Sequence, residues 1–205
     1  MTRLAIITDV HADVHALRDA LAQIDKLSVD LILCCGDLVD YGLFPEETLA
    51  LLHERRVIAI CGNHDRWAIK DGHDTSGWDL TAESISYLES LPTYWRRLID
   101  GVRVVLAHGR PASDMQGIAS DAPDAELKAI LSDAAADVLI VGHTHVPFVR
   151  RLGDGRIVAN PGALLRDPAP GVEVTTPGTF AIVDVLTREI TIRRARDGAV
   201  VPPPS

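Results

Sequence analysis

Short aliphatic runs punctuate the chain, and between them lie stretches whose apolar residues recur at helical spacing. Arg3–Thr8, Leu31–Cys35, Val57–Cys61, Arg103–Ala107 and Val138–Val141 are four to six residues long and rich in Ile, Val and Leu. Runs of that length and composition predict strands buried on both faces. Arg156–Ala159, Thr179–Val185 and Ile190–Arg194 are strand-like as well. Val14, Leu17, Leu21, Ile24 and Leu27 keep helical spacing, with Asp13 placed to cap the first turn. Pro45 followed by Glu46 and Glu47 suits the start of a second helix, because proline loses no needed N–H there and acids favour the dipole. Leu127, Ile130 and Leu131 mark another helix after Pro123. Residues 66–100 read as the least regular connection, with a helix around Thr81–Leu91 inside it. Alternation of this kind predicts an α/β domain. No helix separates the last strands, so that part of the sheet is expected to be mixed or antiparallel. One domain is expected over residues 1–200, followed by a flexible Val-Pro-Pro-Pro-Ser tail at 201–205.

Composition narrows the class. At 205 residues, 47% hydrophobic and 24% charged, the chain is an ordinary globular one, which excludes disorder, collagen and coiled coil as its main architecture. Lys+Arg of 20 against Asp+Glu of 29 gives a net charge of −9, which argues against long nucleic acid and against anionic membranes. It leaves room for a local cationic site made by metal ions. No run is long enough to span a bilayer, and the apolar start of the chain stops at Asp9, too soon for a signal peptide. The cytoplasm is the default location. Cys34, Cys35 and Cys61 are too few and too close for a disulfide framework or a tetrathiolate zinc site, and are expected to be small buried hydrophobes.

The chemistry lies at the carboxyl end of each buried run. The first ends in Asp9-Val10-His11, the second in Gly36-Asp37, the third in Gly62-Asn63-His64-Asp65, the fourth in His108-Gly109 and the fifth in Gly142-His143-Thr144-His145. Five of the eight histidines fall in these tips; His15, His53 and His73 do not, and read as surface, packing or loop residues. In open α/β sheets, ligands bind at the carboxyl edge of the strands. Asp, Asn and His are donors for Mn, Fe, Co or Zn. Asp9, His11, Asp37, Asn63, His108, His143 and His145 are too many donors for one ion and suit two, with one carboxylate bridging. Two ions about 3.5–4 Å apart would clamp a phosphate and activate a water for in-line attack. Each motif alone is weak, since Gly-Asp is a common turn and Asp-x-His a common cap. Their joint occurrence on five strand ends is what predicts the site.

Together, Asp9-x-His11, Gly36-Asp37-x-x-Asp40, Gly62-Asn63-His64-Asp65, His108-Gly109 and Gly142-His143-x-His145 resemble the calcineurin-like metallophosphoesterase superfamily. The small size and the Asn160-Pro161-Gly162 turn are similar to its compact bacterial and archaeal phosphodiesterase branch. The resemblance implies a two-sheet α/β sandwich with flanking helices and mixed parallel and antiparallel strands. It also implies two divalent ions, Mn²⁺ first, with Fe, Zn, Ni and Co as alternatives. By the same likeness Asp9, His11 and His145 hold one ion, Asn63, His108 and His143 the other, and Asp37 bridges them. His64 faces the phosphate and serves the leaving oxygen, and Asp40 orients His64. Asp65 and Asn160 would support the ligands. Asn63, His64 and Arg110 are the substrate-binding candidates, Arg110 having a structural ion pair as its competing role.

Departures from the family pattern separate the alternatives. Protein serine/threonine phosphatases carry an arginine after the second Asp; here it is Tyr41, which disfavours that activity. The opening reads Asp9-Val10-His11-Ala12-Asp13 in place of the usual Asp-x-His-Gly-Asn. Trp67, Trp78 and Trp95 fall in the 66–100 connection, where packing in a core or lid is favoured over stacking on a nucleobase. The expected reaction is metal-dependent hydrolysis of small phosphodiesters, a nucleotide among the candidate substrates, with no long nucleic acid or membrane as partner. Phosphomonoesterase and nucleotide pyrophosphatase are the rivals on the same site. A rival of another class is a protein-binding scaffold like the vacuolar sorting subunit of retromer, for which the His64–Asp40 pair would be superfluous. Small members of the family are often dimers, so a homodimer is kept as an expectation.

Overall fold

The computed structural model describes residues 1–71, 77, 79–166 and 177–202. His73, Trp78 and the end of the 201–205 tail lie outside these. Along the chain the strands are β1 (Arg3–Ile7), β2 (Leu31–Cys34), β3 (Ile58–Ala59), β4 (Tyr94–Ile99), β5 (Val102–Ala107), β6 (Val138–Ile140), β7 (Phe148–Arg151), β8 (Ile157–Asn160), β9 (Thr179–Asp184) and β10 (Glu189–Arg194). The helices are α1 (Val14–Ile24), α2 (Pro45–Glu54), α3 (Asn63–Asp71), α4 (Ala82–Ser90) and α5 (Asp124–Asp133). Among the described residues the strands make two five-stranded sheets, ordered β10-β9-β1-β2-β3 and β4-β5-β6-β8-β7. Pairing is parallel at β1–β2, β2–β3, β5–β6 and β6–β8, and antiparallel at β9, β10, β4 and β7. The mixed sandwich expected from the sequence is the one observed.

Strand periodicity explains why the central runs are apolar throughout. Successive side chains point to opposite faces, so a strand covered on both sides needs apolar residues at every position. In β1, Leu4 and Ile6 enter the core between the sheets, with Val104, Leu106, Val138 and Ile140 of the other sheet. Ala5 and Ile7 face the opposite way, into the cluster built with Leu17, Leu21 and Ile24 of α1 and Leu49 and Leu52 of α2. Val105, Leu139 and Val158 turn outward from the second sheet onto Leu127 and Leu131 of α5. The layers are therefore helices, sheet, sheet, helix. Cys34 and Cys35 are buried among these apolar residues, as expected, while Cys61 is half-buried.

The starts of α1 and α2 match the sequence. Asp13 accepts from the Ala16 N–H at 2.7 Å, and Pro45 opens α2 with Glu46 and Glu47 in its first turn. Thr81 caps α4 by accepting from the Ser84 N–H at 3.2 Å. The 66–100 connection is more regular than expected. It contains most of α3 as well as α4, and ends in β4, an edge strand pairing antiparallel with β5 from Tyr94–Ala107 to Ile99–Val102. β7 is a second strand that the apolar runs do not mark, and β3 is only two residues long, shorter than Val57–Cys61 suggests. Among the described residues, no helix is long and apolar enough to cross a membrane.

Candidate metal centre

The strand ends of both sheets meet at one place. After β1 and β2 the two loops stay bonded: Asp9 N–H donates to Gly36 O at 3.0 Å, His11 N–H to Asp37 O at 3.0 Å and Ala12 N–H to Leu38 O at 2.9 Å. From the other sheet, Gly142 N–H donates to His108 O at 2.8 Å. Asp9, His11, Asp37, His143 and His145 all have positive φ, between 50° and 69°. Ordinary residues avoid this left-handed region, and such conformations collect at functional sites where the surroundings over-determine them. Glycine is required where the loops touch. A Cβ on Gly62 would lie 2.1 Å from Asp37 Oδ1, and one on Gly142 would lie 2.1 Å from Thr8 Oγ1 and 2.5 Å from Asp9 Oδ2.

The donors fall into two groups among the described residues, Asp9 with His11 and His145, and Asp37 with His108 and His143. His11 Nε2 lies 3.1 Å from His145 Nε2, and His145 Nε2 lies 3.3 Å from Asp9 Oδ1. In the second group His143 Nδ1 is 3.3 Å from His108 Nε2, and Asn63 Oδ1 is 3.0 Å from both nitrogens. Asp37 Oδ2 faces both groups, at 3.8 Å from His11 Nε2 and 3.1 Å from His108 Nε2. Two imidazole nitrogens facing each other at about 3 Å can share at most one proton. A cation accepting the lone pairs of both satisfies them better. The donor set of imidazole, carboxylate and amide oxygen suits a borderline divalent ion. The residues present therefore fit two divalent ions.

Surrounding groups aim the ligands. His108 Nδ1 lies 2.8 Å from Cys35 O and His11 Nδ1 lies 3.3 Å from Val39 O, so each backbone carbonyl accepts from Nδ1–H and turns Nε2 toward the cluster. Thr8 Oγ1 donates to Asp9 Oδ2 at 2.6 Å, and His143 N–H reaches Asp9 Oδ1 and Oδ2 at 3.1 Å each. Asp65 accepts from the N–H groups of Leu38 (2.7 Å), Val39 (3.2 Å) and Gly62 (2.9 Å), clamping the loop that carries Asp37 to the start of α3. Asn160 Nδ2 donates to Gly142 O at 2.7 Å and to Thr144 Oγ1 at 3.1 Å, which braces the loop bearing His143 and His145. The contacts of Asp65 and Asn160 are those of supporting residues.

Electrostatics at this cluster are dominated by burial and by the carboxylates. Burial opposes the charged form of His108, but Asp37 beside it prevails and raises its pKa to about 10. For Asp37 burial again opposes charge, and His108 outweighs it, holding the carboxyl well below its usual range. Burial pushes His11 down to about 4, with Asp37 and Asp9 offsetting only part of it. His145 is raised, burial being outweighed by its bond to Asp9, and Asp9 is correspondingly lowered. Burial, then the nearby Asp37, raises Asp65 to about 6.

His64 lies in the first turn of α3, almost fully buried, and its Nδ1 is hydrogen-bonded to Asp40 Oδ2. The ring stands edge-on to His11, centroids 5.0 Å apart, so it borders the first group without joining it. Tyr41, in the position where an arginine would grip a phosphoryl group in the protein phosphatases, lies 4.5 Å from the His64 ring and 4.7 Å from that of His11. Trp67, one helical turn on, lies 4.7 Å from His64, whereas Trp95 packs into the core between the sheets. Sequence spacing alone does not signal the Tyr41 and Trp67 contacts, nor Thr8, whose polar side chain ends an apolar run. Arg110 binds Glu126 and Arg66 binds Asp114 at 2.8 Å, and both arginines line a cleft of about 250 Å³ that His108 also lines. The guanidinium of Arg110 is thus engaged in the ion pair named as its competing role. His15 is exposed with its ring 5.2 Å from Phe44, and His53 is exposed near Tyr87; neither belongs to the two donor groups.

Comparisons with known proteins agree with this geometry. A profile described as the calcineurin-like phosphoesterase superfamily domain matches residues 2–188. A probable metallophosphoesterase of Methanothermobacter thermautotrophicus is 32% identical over 202 residues, covering 97% of this chain and 94% of that one. The crystal structure of a metallophosphoesterase from Sphaerobacter thermophilus superposes with a TM-score of 0.73 at 29% identity, covering 94% of this chain and 87% of the other. A structure described as that of a novel archaeal phosphodiesterase matches with a TM-score of 0.59 at 18% identity, over 98% of this chain and 100% of its own.

Proposed function

The chain belongs to the calcineurin-like phosphoesterase superfamily, and from that membership and the side chains gathered at its sheet edges we propose that it hydrolyses small phosphodiesters with two divalent ions. The carrying observation is the pair of donor groups with Asp37 facing both and the His64–Asp40 pair beside them. Asp9, His11 and His145 would hold one ion, Asn63, His108 and His143 the other, and Asp37 would contact both. Ions held there supply Lewis acidity to the phosphoryl oxygens and lower the pKa of a bound water, manganese being the first to try. His64 Nδ1–H donates to Asp40, which fixes the ring, so that Nε2 is the atom that serves the leaving oxygen. Asn63, as a neutral amide, adds an oxygen donor without cancelling positive charge.

Charge favours the diester over the monoester. A diester carries one negative charge and a monoester close to two. The two arginines lining the cleft beside His108 are already paired, Arg110 with Glu126 and Arg66 with Asp114. Tyr41 stands in the arginine position of the protein phosphatases, so extra cationic grip on a dianion is lacking there. The test is hydrolysis of bis-p-nitrophenyl phosphate by metal-stripped protein, with and without Mn²⁺, from neutral to alkaline pH, beside p-nitrophenyl phosphate. Mn²⁺-dependent turnover that favours the diester is expected. Preference for the monoester would turn the assignment to a phosphomonoesterase. No turnover with two ions bound per chain would turn it to a protein-binding scaffold.

A further inference from the structure

We propose that Tyr41 and Trp67 form a stacking subsite beside His64 for a planar ring on the leaving group, which makes nucleotides the substrate class. This rests on the phosphoester hydrolase reading above. Three observations carry it. The two rings come from separate elements, Tyr41 from the loop after Asp37 and Trp67 from α3, yet both lie within 5 Å of the same imidazole. Neither ring belongs to the buried apolar clusters; both are half-buried, so each keeps an accessible surface. The imidazole they share is the group placed to serve the leaving oxygen, so whatever departs from phosphorus departs alongside them.

The local backbone shows that the Tyr41 placement is built. Asp40 and Tyr41 have φ of 80° and 64°, a costly conformation for two consecutive non-glycine residues. The turn is closed by Gly42, whose N–H donates to Asp40 O at 2.8 Å, and a Cβ on Gly42 would come within 2.3 Å of His11 O. The same turn that aims Asp40 at His64 therefore brings the tyrosine ring there. On α3, His64 and Trp67 are three residues apart and so share a helix face. An aromatic ring presents its π-face to any nucleobase, and such stacking discriminates by ring content with little regard to base identity. A sugar phosphate without a base offers nothing to these two rings.

The experiment compares adenosine monophosphate with ribose 5-phosphate, which share the phosphate and the sugar and differ in the base. Their binding to the metal-loaded protein is measured by calorimetry, and their inhibition of bis-p-nitrophenyl phosphate hydrolysis in parallel. Adenosine monophosphate is expected to bind about tenfold or more tightly, in line with the stacking of one base. In Trp67→Leu and Tyr41→Asn the ratio should fall toward one with metal content unchanged, and Trp67→Phe should restore most of it. Asparagine tolerates the left-handed backbone at position 41, and position 67 lies in a helix, so at least one variant keeps the fold. Equal affinity of the two ligands for the unaltered protein overturns the proposal, as does an unchanged ratio in both variants. Calorimetry reads the subsite even if no diester is hydrolysed, so failure of the subsite and failure of the catalytic reading are separate results.

Discussion

His108 shows how a single residue ties metal uptake to pH. Asp37 raises its pKa to about 10 against the pull of burial, so in the metal-free protein at neutral pH the ring carries a proton. That proton must leave before Nε2 can donate to an ion. Affinity for the ion at His108 should therefore climb with pH, about tenfold per unit between about pH 7 and 9, and calorimetry in buffers of different protonation enthalpy should count about one proton released from His108 when that ion binds. Uptake with no proton released would contradict the Asp37–His108 assignment. In the metal-free chain the raised pKa stabilises the fold fully below about pH 6.5, and that stabilisation is lost as pH rises through about 10. The His64–Asp40 pair makes a second prediction at this scale. His64→Ala should lower turnover about 10²–10⁴-fold while elemental analysis finds the same metal content, and Asp40→Asn should give a smaller loss. Undiminished turnover in His64→Ala would remove its role.

At the scale of elements, strand ends and helix starts divide the labour between ligands and fold. Gly142→Ala would drive a Cβ into Thr8 Oγ1 and Asp9 Oδ2, so it should lose metal through displacement of Asp9. Asp13→Ala should do the reverse. It removes the cap on Ala16 N–H and the bond from Arg166 N–H, costing about 1–2 kcal/mol of stability by denaturant titration while metal content stays the same. The central strands and the helices α1 and α2 were legible in the sequence because burial on both faces forces continuous apolar runs and because Asp13 and Pro45 are strong start signals. β4 and β7 were hidden by Arg96, Arg97, Arg150 and Arg151, which edge strands tolerate because one side meets solvent. The start of α3 was hidden for a related reason: Asn63, His64 and Asp65 are chosen for the site, and their polarity masks the helical period. The seven donor positions were legible as motifs, and the structure brings them together. The rings of Tyr41 and Trp67 against His64 were not, because that contact depends on how one loop sits over one helix.

For the molecule as a whole, the consequence lies in which sheet supplies each donor. Asp9, His11 and Asp37 follow strands β1 and β2 of one sheet, while His108, His143 and His145 follow β5 and β6 of the other. Each donor group thus draws on both sheets: Asp9 and His11 meet His145, and Asp37 meets His108 and His143. Ions bound there would tie the sandwich together at one rim, adding to the apolar core between the sheets. A ligand that binds only the folded state stabilises it by about 2.7 kcal/mol at a hundredfold excess over its dissociation constant. For a chain of this size that corresponds to a rise in Tm of about 5–10 °C. Stripping the two ions should therefore lower Tm by about that amount for each, and restoring Mn²⁺ should recover it in a concentration-dependent way. Without metal, the left-handed turns that carry the donors lose the ions that hold them together, so amide exchange should accelerate first at the ends of β1, β2, β5 and β6, ahead of the sheet centres. A metal-loaded and a stripped protein with the same Tm and the same exchange pattern would mean that the ions do not bind the folded chain in preference to the unfolded one, against the assigned site.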